Sequence, residues 1–543
     1  MKKYIYMALL CIMAFFVNSE VLLPDIMEAR NIVTAREMVS DGNWLVPTMN
    51  GELRLEKPPL PTWVAGVIES IFPDNLGAQR AAAGVMGIIW VVFFYLTAWQ
   101  ITRRKDYAGI ATIVFLTCYQ VVLMGRTATW DIYCHALMMG AIYFLWRGMY
   151  DEPSDGYTHK WKWFPLAGLM MGLSFLSKGP VSFYALLLPF LIAVVIYKRP
   201  SMRGKWGAVV VMLLVCLLIG SWWYFYLLIA HPEAVRAVID KETGSWVNHN
   251  VRPWWYYWRF FTETGVWTIL MFSALFIPYW KKHLTMKREY LLSVTWVLTS
   301  LVLLSLMPEK KMRYLLPMMV SCALSVAFLI QHLCEAKDKA SRMLFYVNGS
   351  IISLIVIILP VFIYIVGYRH EALNFFHTLL IAILLLCIGI WLIYSTLKFR
   401  VYNFLYGIIA IFAVAECFLI GGIGHILGNT ERQSIAEIRN RKELTGISFY
   451  HSADEELRIE LVYAAHRKIL PLELKDTSAV MKALPCVVVT RHSIFEELPA
   501  SLFKKIDTLN IGIYDDNRHS ETDRHYNSLF FNYLTLLKPK RNE

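Results

Sequence analysis

Apolar stretches recur along the chain near 4–23, 81–101, 107–124, 131–148, 164–177, 180–197, 207–229, 264–280, 290–307, 314–333, 343–367, 374–396 and 402–424. Most approach the ~20 residues that a helix needs to cross a bilayer, so the pattern predicts about 13 spans, with 164–177 short for one. Basic clusters punctuate these blocks. Lys2/Lys3, Arg103/Arg104/Lys105, Lys160/Lys162, Lys198/Arg199/Arg203/Lys205, Lys281/Lys282/Lys287/Arg288, Lys337/Lys339/Arg342 and Lys398/Arg400 all fall on one side of the alternation. Positive loops face the cytoplasm, and an odd number of spans then puts the C-terminus outside. The N-terminal run after Lys2-Lys3 has no small-x-small cleavage site, and Glu20 and Asp25 follow it. It reads as a retained first span rather than a signal peptide.

Three outer segments are more than connectors. The first loop, 24–80, is rich in charge and proline, and Ile26–Val39 within it has the spacing of an amphipathic helix that lies along the membrane surface. The stretch 230–263 carries His249, Arg252 and the run Trp254-Trp255-Tyr256-Tyr257-Trp258. Aromatic clusters of this kind favour the headgroup level. From Thr430 the pattern changes again. Gly446–Tyr450, Ile469–Leu472, Cys486–Thr490 and Leu509–Tyr514 read as strands between helical stretches at 454–467, 476–483 and 493–505. The expected organisation is a polytopic α-helical membrane domain over 1–429 and a periplasmic α/β domain over 430–543.

Composition agrees and narrows the class. Of 543 residues, 57% are hydrophobic and 17% charged, against about 45–50% and about 25% in soluble domains. An ordinary cytosolic enzyme, a disordered chain and a disulfide scaffold are excluded. The net charge of +12 does not point to nucleic acid, because the segment from Thr430 holds about 17 basic and about 17 acidic residues and the excess belongs to the membrane part. Of nine cysteines only Cys486 lies in the tail, which therefore has no internal disulfide. In the tail, neither a glycine-rich phosphate loop nor a metal-ligand spacing is read from the sequence.

Ionisable residues at span ends are the informative ones, because burial there is costly unless a partner is found. Asp25 and Glu28 follow the first span three residues apart, on one face of a helix. Either could remove a proton from a hydroxyl as general base. The structural alternative has Asp25 capping the helix while Glu28 pairs with Arg30 or Arg36. Glu56-Lys57-Pro58-Pro59 sets an acid and a base before rigid prolines, where a lysine could hold a phosphate or the pair could be a solvated loop pair. Asp131 begins a span and needs a cation, for which Arg126 or Lys57 would serve. Lys178 sits in a tight outer turn, Ser177-Lys178-Gly179-Pro180, and is expected to bind an anion. Pro308-Glu309-Lys310-Lys311-Met312-Arg313-Tyr314 is a basic cluster on the side where few positives belong, which again argues for an anion. Arg252 lies just before the aromatic run. Together these groups match a ligand with a phosphate at headgroup level, a lipid tail and a hydroxyl to be activated.

The run Glu28-Ala29-Arg30, Ala35-Arg36-Glu37-Met38, Gly42-Asn43-Trp44-Leu45-Val46-Pro47, Asn50-Gly51 and Glu56-Lys57-Pro58-Pro59 resembles the first outer loop of bacterial GT-C glycosyltransferases. These are the aminoarabinose-transferase and protein-mannosyltransferase-like enzymes. Asp131, Ser177-Lys178-Gly179, Pro253-Trp254-Trp255-Tyr256-Tyr257 and Lys310–Pro317 resemble later blocks of the same family in the same order. The likeness covers residues 1–330 well and the remainder by layout. It implies a dozen or more spans, amphipathic juxtamembrane helices in the first loop and a C-terminal periplasmic domain. It also implies inverting transfer of a sugar from a polyprenyl (undecaprenyl) phosphate to an acceptor hydroxyl on lipid A, a protein or a glycan.

By the same resemblance the catalytic candidates are Asp25, Glu28 and Asp131. Contacts to phosphate and sugar fall on Arg30, Glu56, Lys57, Lys178, Arg252, Tyr256, Lys310, Lys311, Arg313 and Tyr314. The family carries adjacent Asp-Glu before the small residue and arginine, whereas Met27 precedes Glu28 here, so the base is Asp25 or Glu28. No cofactor is required. A divalent metal is compatible, but nothing indicates one. The expected partners are the lipid-linked donor, a lipid, protein or glycan acceptor and membrane lipid, and the expected location is the bacterial inner membrane with the site on the periplasmic face. The competing classes are a lipid-linked sugar transporter or flippase, for which midplane charges and repeats would be the signature, and an envelope assembly factor.

Overall fold

The computed structural model describes residues 2–150, 159–248, 250–369, 371, 373–423 and 432–540. The chain divides into a helical unit (Met1–Val21, Leu55–Val64 and Phe72–Ile423) and an α/β unit (Leu22–Arg54, Ala65–Ile71 and Gly424–Glu543). Much of the first outer loop therefore clusters with the C-terminal segment. The hydropathy pattern carries no sign of that association. The boundary expected at 429/430 lies outside the described residues.

The helices run in order α1 (Lys2–Phe15), α2 (Ile26–Asp41), α3 (Leu60–Ile71), α4 (Leu76–Thr102), α5 (Lys105–Leu116), α6 (Tyr119–Gly125), α7 (Trp130–Met149), α8 (Lys160–Lys178), α9 (Leu188–Tyr197), α10 (Trp206–Ala230), α11 (Pro232–Asn248), α12 (Thr268–Ala274), α13 (Ile277–His283), α14 (Lys287–Leu306), α15 (Met318–Glu335), α16 (Lys339–Ile363), α17 (Phe375–Leu397), α18 (Val401–Val414) and α19 (Ile420–Ile423). Every apolar block of the sequence meets a helix, although α1 ends at Phe15, short of the expected block at 4–23. A helix is the backbone's only way to satisfy its own polar groups within one segment in lipid. Among the described residues seven helices are long and apolar enough to cross a membrane, and up to nine if the bent pairs α5–α6 (68°) and Trp254–Ala274 with α13 (85°) each count once. In α7 and α8, at two other expected blocks, Asp131, His135, Arg147, Lys160, Lys162 and Lys178 interrupt the apolar run.

Two glycines explain how α8 and α10 approach so closely. A Cβ at Gly168 would lie 2.3 Å from the Met212 carbonyl oxygen, and one at Gly172 would lie 2.8 Å from Ile219 Cβ. Small residues four apart let backbones meet where lipid offers no hydrophobic drive between helices. The opposite side of α10 bares Leu217, Leu218, Phe225 and Ile229, as a lipid-facing surface does.

The α/β unit is built on β1 (Thr48–Met49), β2 (Glu52–Leu53), β3 (Ser448–Ser452), β4 (Ile469–Leu472), β5 (Cys486–Thr490), β6 (Ile506–Asp515) and β7 (Phe531–Pro539). Helices α20 (Ile459–Ala465), α21 (Thr477–Ala483) and α22 (Ile494–Glu497) complete it. Its five-stranded sheet has the order β4-β3-β5-β7-β6. Strand β3 pairs in parallel with β4 and β5, and β7 runs antiparallel to β5 and β6. The strands at 469–472 and 486–490 lie where the sequence put them, the first and last shift by a few residues, and β7 was not foreseen. Strand β5 is buried on both faces. Val487 and Val489 join one core, and Cys486 and Val488 the other.

Helix α2 corrects one expectation. Ten of its 16 residues are buried, and Ala29 and Val33 belong to the apolar core that contains Phe449, Val487 and Leu534. Its apolar face covers protein rather than lying open along a membrane surface. Glu37 explains the conformation of the following turn. Its carboxylate accepts from Thr48 Oγ1 (2.6 Å), Asn50 N (2.5 Å) and Gly51 N (3.1 Å). Asn50 and Gly51 both take positive φ, 54° and 82°, as a tight two-residue hairpin requires. Asn50 then donates from Nδ2 to Ile469 O (2.7 Å) and accepts from Ile469 N (2.8 Å), so the loop motif completes the edge at β4.

Candidate active site

In the α/β unit, Asp25 is the N-cap of α2. Its Oδ1 accepts from Met27 N (2.8 Å) and Glu28 N (2.9 Å), and Glu28 Oε2 accepts in return from Asp25 N (3.4 Å). This reciprocal box satisfies donors that a helix start otherwise leaves open. Glu28 is 1% exposed, while Asp25 is half-buried. Arg36 stands 3.8 Å from Glu69 and donates to Tyr463 O. Arg30 keeps a buried Nε with no hydrogen-bond partner among the described residues. Just upstream, Arg518 Nη2 donates to Pro24 O (2.5 Å).

In the helical unit, Asp131 in the first turn of α7 binds Lys178 at the end of α8 through Oδ1. That corrects the partners expected for Asp131. Arg126 pairs with Glu416 (2.5 Å) and Lys57 with Glu242 (3.3 Å). Among the described residues Asp131 Oδ2 is buried without a hydrogen bond, and so is Arg313 Nε, although Arg313 acts electrostatically on the Asp131 carboxylate. The Tyr314 ring is the hub of this cluster. Lys178 Nζ lies 5.9 Å from its centroid, Lys311 Nζ 6.0 Å and Arg313 Cζ 6.0 Å. Glu309 pairs with Lys311 (2.5 Å) and accepts from the Tyr314 hydroxyl (3.3 Å).

A short backbone zipper holds the basic segment against the one that carries Arg252. Val251 bridges Glu309, Arg252 N donates to Pro308 O (3.3 Å) and Lys310 N to Asn250 O (3.1 Å). The Tyr257 hydroxyl donates to Lys311 O (3.0 Å) and accepts from Lys311 N (2.9 Å). Lys310 turns inward and donates to the carbonyls of Arg252 (3.2 Å) and Met307. Burial pushes its ammonium below the ordinary lysine value. Lys310 is thus a cation that staples two loops. Arg252 is exposed, and Tyr256 is half-buried beneath Arg259. His249 lies outside the described residues.

The structure therefore gathers Asp131, Lys178, Lys311, Arg313 and Tyr314 from three distant parts of the sequence. Glu56 and Lys57 are solvated loop residues only in part, since both reach α11, Glu56 to Lys241 (3.1 Å) and Lys57 to Glu242 (3.3 Å). Glu242 acts electrostatically on Tyr224, whose hydroxyl lies 3.5 Å from the Cβ position of Gly179, next to Lys178. Sequence reasoning named Tyr257 only within the aromatic run and missed Lys241, Glu242 and Tyr224. The adjacent Lys241-Glu242, opposite in order to Glu56-Lys57, was the available signal. It missed His135 too, four residues after Asp131 and buried on the same helix face.

Known proteins resemble this chain in sequence and in fold. Residues 56–225 match the family model described as dolichyl-phosphate-mannose-protein mannosyltransferase. An undecaprenyl phosphate-alpha-4-amino-4-deoxy-L-arabinose arabinosyl transferase of Aeromonas hydrophila is 28% identical over 363 residues, 62% of this chain and 61% of that one. The protein of the same name from Shewanella sediminis is 26% identical over 399 residues, 69% of this chain and 67% of its own. The match thus spans about three-fifths of the length of the Aeromonas relative. The crystal structure of ArnT from Cupriavidus metallidurans bound to undecaprenyl phosphate superposes with a TM-score of 0.71 at 15% identity, covering 98% of this chain and 97% of that one. The fold is that of this helical GT-C group, and the resemblance read from the first loop holds.

Proposed function

We propose that this GT-C-fold chain transfers a sugar from a polyprenyl phosphate carrier to the hydroxyl of a lipid acceptor of the lipid A type. The observation that carries the reading is the cluster around Tyr314. Lys178, Lys311 and Arg313 meet there beside a buried carboxylate, and Arg313 Nε has no hydrogen-bond partner among the described residues. In the reaction the acceptor oxygen attacks the anomeric carbon from the face opposite the carrier. The C1–O bond to phosphate breaks, and polyprenyl phosphate departs with the bonding pair. Fixed cations aimed at the oxygen that gains charge lower that barrier. A carboxylate takes the acceptor's proton as the new C1–O bond forms. The Oδ2 oxygen of half-buried Asp25 suits that task better than Glu28, which is sealed in the α/β unit.

Lys57, Arg252 and Arg30 are assigned to the phosphate and Glu56 and Tyr256 to the sugar, by the family motif they carry. Asp131 pairs with Lys178 and holds it in place. The chemistry needs no cofactor. The relatives named above as arabinosyl transferases support a lipid-linked donor and a lipid acceptor over a protein one. We assign the chain to the bacterial inner membrane as a multi-pass protein of about 13 spans, with the active site and the C-terminal α/β domain on the periplasmic face. The test is transfer of labelled aminoarabinose from undecaprenyl phosphate to lipid A by purified protein in vesicles. Labelled lipid A is the expected product, and failure to transfer any carrier-linked sugar would overturn the assignment.

A further inference from the structure

The loop between β6 and β7 contains a cluster that sugar transfer does not use. Its tip, His519-Ser520-Glu521-Thr522-Asp523-Arg524-His525, has no apolar side chain, so it cannot order itself by burial. Its neck is nevertheless pinned. Asn527 N donates to Asn517 Oδ1 (2.9 Å), Asn517 donates from N and Nδ2 to Asp515 Oδ1 (2.9 and 2.7 Å), and Asp516 N donates to Phe530 O (3.0 Å). Within the tip, one turn is tied by Asp523 N to Ser520 O (2.9 Å) and another by His525 N to Asp523 Oδ1 (2.8 Å).

These turns bring two imidazoles onto one carboxylate. His525 Nδ1 is 2.9 Å from Asp523 Oδ1, and His519 Nδ1 is 3.6 Å from Asp523 Oδ2. One ligand atom from each residue lies within 4.8 Å of the others. We infer that His519, Asp523 and His525 form a binding site for a zinc-class divalent transition metal, and that the metal orders this loop. Imidazole selects such ions over magnesium or calcium, which prefer all-oxygen sites. Metal–nitrogen bonds of about 2.0–2.1 Å place neighbouring ligands of a tetrahedral ion roughly 3.3 Å apart. The Asp523–His525 pair is already inside that span. All three side chains are exposed, so His519 closes by rotation, and water fills the remaining position.

The loop bears on the first-loop motif through the residue next to the first ligand. Arg518 donates to the carbonyl of Pro24, immediately before the N-cap Asp25. An ordered loop fixes that contact. The other candidate group, Glu455, His492 and Glu497, offers one imidazole, and Arg491 stands 3.8 Å from Glu455. It serves as the control.

The experiment titrates metal-free, full-length protein in detergent with Co(II), then displaces it with Zn(II). Expected are one equivalent of Co(II) with visible d–d absorption and loss of that band on Zn(II) addition. Affinity should fall at least about tenfold in His519→Ala, His525→Ala and Asp523→Asn but not in His492→Ala. Tryptic cleavage after Arg518 and Arg524 should slow by about tenfold with Zn(II) in the wild type alone, because cleavage requires the loop to open. Equal cobalt binding and equal cleavage in wild type and the His519→Ala/His525→Ala double variant would overturn the site. The cleavage assay keeps the result readable if one variant binds poorly for reasons of folding.

Discussion

Asp131 and Lys178 expose 2% and 7% of their side chains, and each is tolerable there only because of the other. Breaking a buried pair by removing one charge costs about 3–5 kcal/mol, since the partner stays desolvated and unpaired. Asp131→Asn should therefore lower the thermal midpoint of the purified protein by an amount that Asp131→Asn with Lys178→Met largely restores. The double variant should fold yet bind the phosphate carrier weakly, which separates the structural role from the ligand role. Asp25 allows a cleaner test. Asparagine caps a helix as well as aspartate does, whereas alanine loses about 1 kcal/mol. Asp25→Asn should keep the wild-type midpoint and donor binding while turnover falls about 10²–10⁴-fold, the usual contribution of a general base. Unchanged turnover would move the role to Glu28 or Asp131. These residues were legible in the sequence because charge at a span end is conspicuous. Their partners were not, since nothing local in Ser177-Lys178-Gly179 points to a carboxylate 47 positions earlier.

At the scale of elements, periodicity located helices better than surroundings. Residues Ile26–Val39 were readable as an amphipathic helix, but which surface its apolar face covers is a tertiary fact. Strand β7 escaped notice because Leu534, Leu536 and Leu537 are all buried, so the alternation that marks a half-exposed strand is missing. The end of α2 meets the start of β4 through Asp41 and Lys468 at 2.6 Å. The hydrogen bond from Lys468 holds the Asp41 carboxyl below its ordinary range, and the same bond raises Lys468. The carboxylate's contribution is present above the unfolded value near 3.9 and is lost as pH falls through the lower folded one. The ammonium's contribution is present below about 10.4 and is lost as pH rises through the raised folded value. Both side chains are more than a third exposed, so the pair contributes at most about 1 kcal/mol. Lys468→Met should lower stability by that much or less at pH 7, with the difference from wild type vanishing in strong acid and strong alkali, as urea melts would read.

For the whole molecule, the arrangement of basic clusters predicts sidedness independently of any site. The clusters that include Arg203 and the tail from Thr430 should face opposite sides of the membrane. A native-thiol experiment on the tail would mislead, because Cys486 is buried in the centre of the sheet and is shielded whichever side it faces. Asp507 and Arg203 are exposed, and cysteines introduced there report the two sides. Cys387 and Cys417, the exposed native thiols, lie within apolar helices where a charged maleimide does not partition. In intact spheroplasts an impermeant maleimide should therefore label Asp507→Cys and leave Arg203→Cys unlabelled until the membrane is opened. The reverse pattern would put the cations around Tyr314 on the cytoplasmic side. They would then be topogenic charges, and neither the lipid-phosphate site nor the outward-facing transfer could stand.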